Sequence, residues 1–258
     1  MRYGHLALTL ALVGGVGLAV WNSFSSSWYG SSVTKVTLTS FDEKGQARTF
    51  KINDVQLDPQ DNEQEIYLYT VLYQGAHNRN GSTWHNLCLP DADGMAKAIP
   101  LSGRWDVTGA HIDDGSITFA CTNGAVAKCV RWGYKPWKTL KGESLRDYHQ
   151  ACTRMVRADY CGNGTGHTQN GTAIDVYDRL GVQQRTQDNG MAPEASWDAN
   201  GVVNLKRTRF QSTFEKLQQN CPEKLSSTTQ VNQSNTQALK SIPTPLLFND
   251  SFIQSQSP

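Results

Sequence analysis

The sequence has little charge, and neither sign is in excess. Charged residues make up 18% of the 258 residues, with 24 Lys and Arg against 23 Asp and Glu. An ordinary globular protein has about 25% charged residues. The near balance excludes a protein that binds polyanions with its whole surface and one with a strongly acidic tail.

The familiar signatures of catalysis and nucleotide binding are also missing. The chain has no G-x-S-x-G nucleophile elbow, no H-E-x-x-H metal-binding motif and no G-x-G-x-x-G loop. Each of these motifs places a nucleophile, a metal or a phosphate group against a defined turn or helix. The sequence therefore indicates no cofactor, and it assigns no reaction by motif.

Residues 1–30 do not have the composition of a folded domain. An apolar run of Leu, Ala, Val and Gly extends from residue 6 to 20 and contains no charge. It is shorter than the roughly 20 residues of a membrane span and fits the apolar region of a secretory signal peptide. Gly17 and Ala19 are suitably small for a cleavage site. Val20 and Trp21 prolong the run, so the alternative is an uncleaved membrane anchor through residues 6–21.

Residues 222–258 are rich in Ser, Thr, Gln and Asn and contain only four charged residues. Such a composition buries too little apolar surface to offset the entropy of ordering the chain. We therefore predict a disordered tail over 222–258. The remaining residues, 31–221, are expected to form a single globular domain.

All six cysteines lie within 31–221: Cys88, Cys121, Cys129, Cys152, Cys161 and Cys221. An even number of cysteines behind an export segment predicts disulfides, for which about 15 pairings exist. The turn at 122–124 leaves a local Cys121–Cys129 bridge open. Cys152 and Cys161 can pair only if the intervening helix stops near Arg157. No C-x-x-C or H-x-x-x-H spacing occurs, so we predict no metal site.

Alternating apolar residues and Gly-containing turns predict a mainly antiparallel β structure. The expected strands are 33–39, 46–52, 65–73, 84–89, 103–107, 116–121 and 172–177, and a hairpin covers 197–203. One main amphipathic helix is predicted over about 144–158, with Ser144 as its N-cap. A short last helix is expected over 212–219. The predicted fold class is α+β with β in the majority, stabilised by disulfides.

Three blocks of sequence resemble a known family. Ala158-Asp159-Tyr160-Cys161 spells the motif that names the ADYC domain family, and the segments 119–137, 149–162 and 172–178 resemble its other blocks. The resemblance covers about 84–200. It implies a bacterial protein that works outside the cytoplasm, and it implies no activity.

A glycine-rich loop after the main helix carries the candidate catalytic residues. His167 lies in this loop, with Asp159 before it and Asp175 after it. A His that meets a carboxylate can act as a general acid or base. The alternative is structural: Asp159 pairs with Arg157 or caps loop amides, and the glycines provide positive φ angles. His149, beside the apolar stripe of the helix, is a weaker candidate for which a packing role is the alternative.

The second candidate is a basic segment with aromatic residues. Residues 128–157 contain eight basic and two acidic residues. The expected binding residues are Trp132, Tyr134, Lys135, Trp137 and Lys138. Aromatic rings beside cations can stack on sugars or bases, and an exported protein rarely meets nucleic acid. The expected partner is therefore an anionic envelope polymer or a glycan. The alternative is that this segment packs as a corner against the sheet.

Together these features predict a disulfide-stabilised binding or structural module of the bacterial envelope or extracellular space. The expected location is periplasmic or secreted, with attachment to the inner membrane if the leader is retained. The alternative function is a hydrolase acting on an envelope glycan or peptide. In that case His167 is the base, and Asp159 or Asp175 orients it.

Overall fold

The computed structural model describes residues 37–41, 47–75, 83–226 and 244–252. The predicted leader lies outside these ranges. The described residues divide into two compact units, where the sequence predicted one domain. The first unit comprises the residues up to Trp105 together with His111–Arg131, and the second comprises Asp106–Ala110 together with the residues from Trp132 onward. Within the described ranges, no helix is both long and apolar enough to cross a membrane.

The first unit is built on an antiparallel sheet of six strands. In chain order these are β1 (Thr37–Phe41), β2 (Ala47–Leu57), β3 (Tyr67–Gln74), β4 (Trp84–Asn86), β5 (Ala98–Trp105) and β6 (His111–Cys121). The order across the sheet is β1-β2-β3-β5-β6, and β4 also pairs with β3. A seven-residue helix, α1 (Ala125–Arg131), follows β6. The sequence predicted these strands, with shifted ends, but not α1.

The alternation of side chains explains why these segments form a sheet. Neighbouring residues on a strand point to opposite faces. Leu68 and Tyr69 accordingly belong to two different apolar clusters, and so do Phe119 and Ala120. Val130 of α1 joins the cluster that contains Leu68. The helix therefore covers one face of the sheet.

The Cys88–Cys121 disulfide lies within this unit, with a Cα–Cα distance of 5.3 Å. The local Cys121–Cys129 bridge that the sequence left open is therefore wrong. Cys121 is bonded to Cys88, and Cys129 lies inside α1, which follows the turn at 122–124. All six cysteines are disulfide-bonded, and none is free.

The second unit contains the main helix and a separate four-stranded sheet. A short hairpin, β7 (Thr139–Leu140) with β8 (Glu143–Ser144), precedes α2 (Leu145–Arg157). The sheet consists of β9 (Ile174–Asp178), β10 (Ala192–Asp198), β11 (Gly201–Leu205) and β12 (Leu247–Ser251), in the order β11-β10-β12-β9. Two further helices are α3 (Gln211–Asn220) and α4 (Glu223–Ser226).

The predicted main helix is confirmed, including its cap. The side chain of Ser144 accepts a hydrogen bond from the backbone amide of Arg146. Such a bond satisfies one of the amides that the first turn leaves without a partner. The helix ends at Ala158, which has a φ of 52° and donates its amide to carbonyls of the last turn.

The predicted disorder of 222–258 is wrong for the part of this segment that the structure describes. Glu223–Ser226 is helical, and Leu247–Ser251 is an inner strand of the second sheet. Leu247, Asn249 and Asp250 are all buried. Composition misled the prediction because polar residues in this strand find hydrogen-bond partners that are distant in sequence. The α+β class, mostly antiparallel and disulfide-stabilised, is confirmed.

Candidate functional site

The four residues of the A-D-Y-C sequence each have a structural task at the end of α2. Ala158 takes the left-handed conformation that turns the chain out of the helix. Asp159 is only 1% exposed, and its carboxylate forms an ion pair with Arg154, with 2.6 Å between Oδ2 and Nη1. It also accepts the backbone amides of Asn163 and Gly164 at 3.1 and 2.9 Å. The carboxylate of Asp159 therefore holds the glycine-rich loop against α2.

Tyr160 belongs to a buried polar network. Its hydroxyl donates to Oε1 of Glu194 at 3.0 Å and accepts the amide of Arg209 at 2.8 Å. Its ring stacks on Trp197, with 5.3 Å between centroids. Burial raises the pKa of Tyr160 well above its ordinary value, and the charge of Glu194 adds to that effect. The hydroxyl therefore remains protonated and acts as a fixed donor.

Arg209 completes this network. Its guanidinium contacts both carboxylate oxygens of Glu194, at 3.1 and 3.0 Å, and it donates to the carbonyls of Met155 and Val156. Those carbonyls belong to the last turn of α2, where the regular helical hydrogen bonds end; the carbonyl of Met155 also accepts the amide of Ala158. A single buried cation thus joins the helix end to β10.

Cys161, the last residue of the motif, forms a disulfide with Cys221, 60 residues later in the chain. Helix α2 does end at Arg157, as a Cys152–Cys161 pair requires, but Cys161 has this other partner. The disulfide joins the end of the motif to the C-cap of α3.

The glycines of the loop are explained by packing. Gly162 and Gly164 have φ angles of 71° and 87°. A side chain at Gly162 would collide with the carbonyl of Asn200, and one at Gly164 with the carbonyl of Val107. Only glycine combines positive φ with such a close backbone approach. The loop is glycine-rich because it packs tightly.

The structure does not join His167 to a carboxylate. The backbone amide of His167 donates to the carbonyl of Arg157, and its ring lies 6.0 Å from that of Tyr160. Its Nε2 is buried and has no hydrogen-bond partner among the described residues. Burial lowers the pKa of His167; Lys216 contributes in the same direction, and the charge of Asp159 opposes it.

The other predicted catalytic residues have structural surroundings. Asp159 is held by Arg154 and the loop amides, as described above. Asp175 accepts both the amide and the hydroxyl of Thr186 at 2.8 Å. His149 is buried within α2.

The predicted aromatic and basic surface is partly internal. Tyr134 is buried and donates to Oδ2 of Asp178 at 2.9 Å; burial, with the charge of Asp178, raises its pKa. Lys135 is buried as well, whereas 49% of Trp137 is exposed. The carbonyl of Trp132 accepts the side-chain amide of Gln183, and Lys138 is half-buried. The segment therefore packs as a corner and does not present these residues as one exposed row.

A different concave surface lies in the connection from β9 to β10. It is a cleft of about 500 Å³ lined by Arg185, Thr186, Gln187, Asp188, Asn189, Gly190, Met191 and Asp250. The side chain of Arg185 is 43% exposed and contacts Oδ2 of Asp250, which is 1% exposed, at 2.5 and 2.8 Å. Tyr177 donates to Oδ1 of the same carboxylate at 3.0 Å. Burial and this bond raise the pKa of Tyr177 to about 12.

The loop that forms the cleft is held in an unusual conformation. Asp188 has a φ of 55°, a left-handed conformation that few residues other than glycine adopt. The side chain of Asn189 accepts the amide of Met191 at 2.9 Å, which closes the turn before β10. The sequence motifs did not indicate this cleft. The usable signal was the polar run 184–189, followed by glycine and placed between two strands.

No group of three or more His, Cys, Asp or Glu side chains with metal-binding geometry occurs within the described ranges. The arrangement at the cleft offers hydrogen-bond donors and acceptors to a ligand. Within the lining, the hydroxyl of Thr186 donates to the carboxylate of Asp175 at 2.8 Å.

Comparison with known proteins adds the family. No curated protein and no solved structure matched the chain. The ADYC domain model matches residues 30–211, a longer stretch than the sequence blocks suggested and well over half of the 258 residues. The residues that name the family are those that close α2, bind the loop and form the Cys161–Cys221 disulfide. The chain therefore belongs to the ADYC domain family.

Proposed function

We propose that this protein is a binding module of the bacterial envelope or extracellular space, and that its ligand is an uncharged glycan held in the cleft at 185–191. The observation that carries the proposal is the cleft itself, where amide, hydroxyl and guanidinium groups border one concavity. Binding sites are usually concave, with a few polar groups that orient the ligand. The disulfides indicate an oxidising environment outside the cytoplasm.

The charges around the cleft favour a neutral ligand over a polyanion. Arg185 is the cation of the lining, and its charge is already paired with Asp250. Asp188 adds a second negative charge. A polyanion would therefore meet net negative charge, which disfavours its approach.

The exposed side chains of the cleft suit sugar hydroxyl groups. Gln187 is exposed, and its amide offers both a donor and an acceptor. Thr186 donates its hydroxyl proton to Asp175 and keeps acceptor capacity. Sugar hydroxyls both donate and accept, so such mixed groups complement them better than groups of a single type.

Hydrolysis through His167 has no supporting contact. A general base needs hydrogen-bond reach to the proton that it removes and a partner that orients it. The carboxylates expected to serve His167 are engaged elsewhere. The binding proposal does not depend on these residues.

The test is calorimetric titration of the full chain with soluble, uncharged oligosaccharides of bacterial cell-wall type and, separately, with a polyanion. We expect binding of the neutral oligosaccharide and at least a tenfold loss of affinity in Gln187→Ala. Gln184→Ala is the matched control, because Gln184 is exposed on the same loop but lies outside the lining. Equal losses in the two variants, or binding of the polyanion alone, would contradict the proposal.

A further inference from the structure

The inner strand β12 comes from a part of the chain that the family domain does not include. The ADYC match ends at residue 211, whereas β12 is Leu247–Ser251. Both flanking strands, β9 and β10, lie inside the match. The matched domain thus supplies the two sides of a strand-wide groove, and the C-terminal segment fills it.

The contacts of β12 resemble those of a bound peptide. It pairs antiparallel with both neighbours: Leu247 lies opposite Trp197 on β10 and opposite Asp178 on β9. Strand addition of this kind obtains affinity from main-chain hydrogen bonds and specificity from alternate side chains. The groove provides both kinds of contact along the whole strand.

Two side chains of β12 provide the specificity. Asn249 accepts the indole N–H of Trp197 at 2.8 Å inside the unit. The carboxylate of Asp250, which lines the cleft, accepts hydrogen bonds from the side chains of Arg185 and Tyr177. The groove therefore recognises Asn249 through the indole of Trp197. It recognises Asp250 through the guanidinium of Arg185 and the phenol of Tyr177. Leu247 is fully buried.

The fit is incomplete at two atoms. Nδ2 of Asn249 and Oγ of Ser251 are buried without a hydrogen-bond partner among the described residues. Buried polar groups are nearly always paired, and an unpaired one weakens the state that buries it. These two atoms lower the affinity of the strand for its groove, which favours its release.

The chain that connects α4 to β12 is long enough for the strand to reach the groove of a second copy. Residues 227–243 separate α4 from the segment that carries β12. A chain of that length can span at most about 60 Å. Such a connection lets the strand reach its own groove or the same groove of a second copy, and exchange of an identical element between copies is domain swapping.

We propose that the groove between β9 and β10 is a peptide-binding site, that residues 244–252 are its ligand, and that a second copy of this chain can supply this ligand in exchange. In the described structure the chain fills its own groove. In the exchanged form each of two copies holds the C-terminal strand of the other. This proposal does not rest on a glycan in the cleft.

The experiment begins with the full chain. A protease site is placed within 227–243, the folded protein is cut there, and a fluorescent synthetic peptide of residues 244–252 is added. We expect the cut fragment to co-elute with the protein at first and then to be replaced by the peptide. An Asp250→Asn peptide should bind at least tenfold more weakly. A Thr244→Ala peptide, changed at an exposed position, is the control and should bind as the native one does.

Three results would overturn the proposal. One is a cut fragment that a large excess of peptide never replaces. Another is a protein that loses the fragment and does not bind the labelled peptide. The third is equal affinity for the native and Asp250→Asn peptides. Each of these would make β12 an ordinary part of the fold.

A measurement on the uncut protein covers the case in which cutting unfolds it. Hydrogen exchange should show the amides of 247–251 opening before those of α2. Mixing two differently tagged copies should then yield dimers that contain both tags. Amides of 247–251 that exchange only with global unfolding, together with no mixed dimers, would also reject the proposal.

Discussion

The two units show two kinds of interior, although the first also contains the buried ion pair of Arg131 with Asp58. In the first unit, two apolar clusters lie on the faces of one sheet, and their members are mainly aliphatic and aromatic. Near the end of α2 in the second unit, the interior contains the buried pairs Arg209–Glu194 and Arg154–Asp159. The first arrangement leaves a periodic trace in the sequence, because strand alternation places apolar residues at every second position. The second arrangement leaves no periodic trace in the sequence.

This difference explains why glycine, aspartate and histidine in one loop do not by themselves indicate catalysis. Asp159 was a candidate catalytic residue, but its carboxylate and the hydroxyl of Tyr160 are both held by fixed partners. The cleft at 185–191 contains similar residue types that remain exposed. Exposure, rather than residue type, separates the proposed binding surface from the structural network.

The largest expected effect comes from breaking the buried pair at Arg209. Arg209→Met leaves Glu194 as an unpaired carboxylate that is 0% exposed. Removing one partner of a buried pair destabilises a protein by about 3–5 kcal/mol. Urea unfolding followed by circular dichroism should show a loss in this range.

Two variants serve as controls for Arg209→Met. Arg179→Met breaks the solvent-exposed pair with Glu143, whose side chains are 38% and 42% exposed, and should cost at most about 1 kcal/mol. Ile52→Val, in the apolar interior of the first unit, should cost about 1 kcal/mol. If Arg209→Met costs no more than these, the second unit does not depend on buried charge. Adding Glu194→Leu to Arg209→Met should recover much of the loss.

The next effect concerns the carboxylate of the family motif. Asp159→Asn removes the charge that neutralises the buried Arg154 and weakens the bonds to the loop amides. We expect a loss of about 2–3 kcal/mol in the free energy of unfolding, because hydrogen bonds to charged groups are the stronger ones. Denaturant titration of the wild type and the variant measures it.

Asp198→Asn is the control for this prediction. Asp198 also accepts a loop amide, that of Asn200, at 2.7 Å, but in an exposed hydrogen bond. Its substitution should cost less than about 1 kcal/mol. An Asp159→Asn protein as stable as the wild type would return Asp159 to the group of candidate catalytic residues.

The same comparison shows what can be predicted from the sequence: local patterns can be recognised, and contacts between distant residues cannot. Ser144 and the apolar stripe of α2 are local signals, and they placed the helix almost to the residue. The partners of Tyr160 lie 34 and 49 residues away, where no local pattern records them. Helix α1 was missed because its seven residues are too few to show periodicity. Strand β12 was missed because Trp197, Arg185 and Tyr177, which donate to the side-chain oxygens of Asn249 and Asp250, are distant in sequence.

The smallest expected effect is a pH dependence that originates at His167, beside the polar network. Its pKa in the folded protein is lowered, mainly by burial, so the folded state binds a proton less readily than the unfolded state. The stabilisation is therefore present above the ordinary histidine pKa of about 6.5 and is lost as the pH falls through the lower, folded value. Between pH 7.5 and 5 the wild type should lose more stability than His167→Gln, by less than about 1 kcal/mol because the ring is only half-buried. Gln184→Ala, at an exposed position without a titratable group, should leave the wild-type pH dependence unchanged. If His167→Gln follows the wild-type profile, the ring of His167 is solvated in the folded protein, and proton transfer by this residue would need to be tested directly.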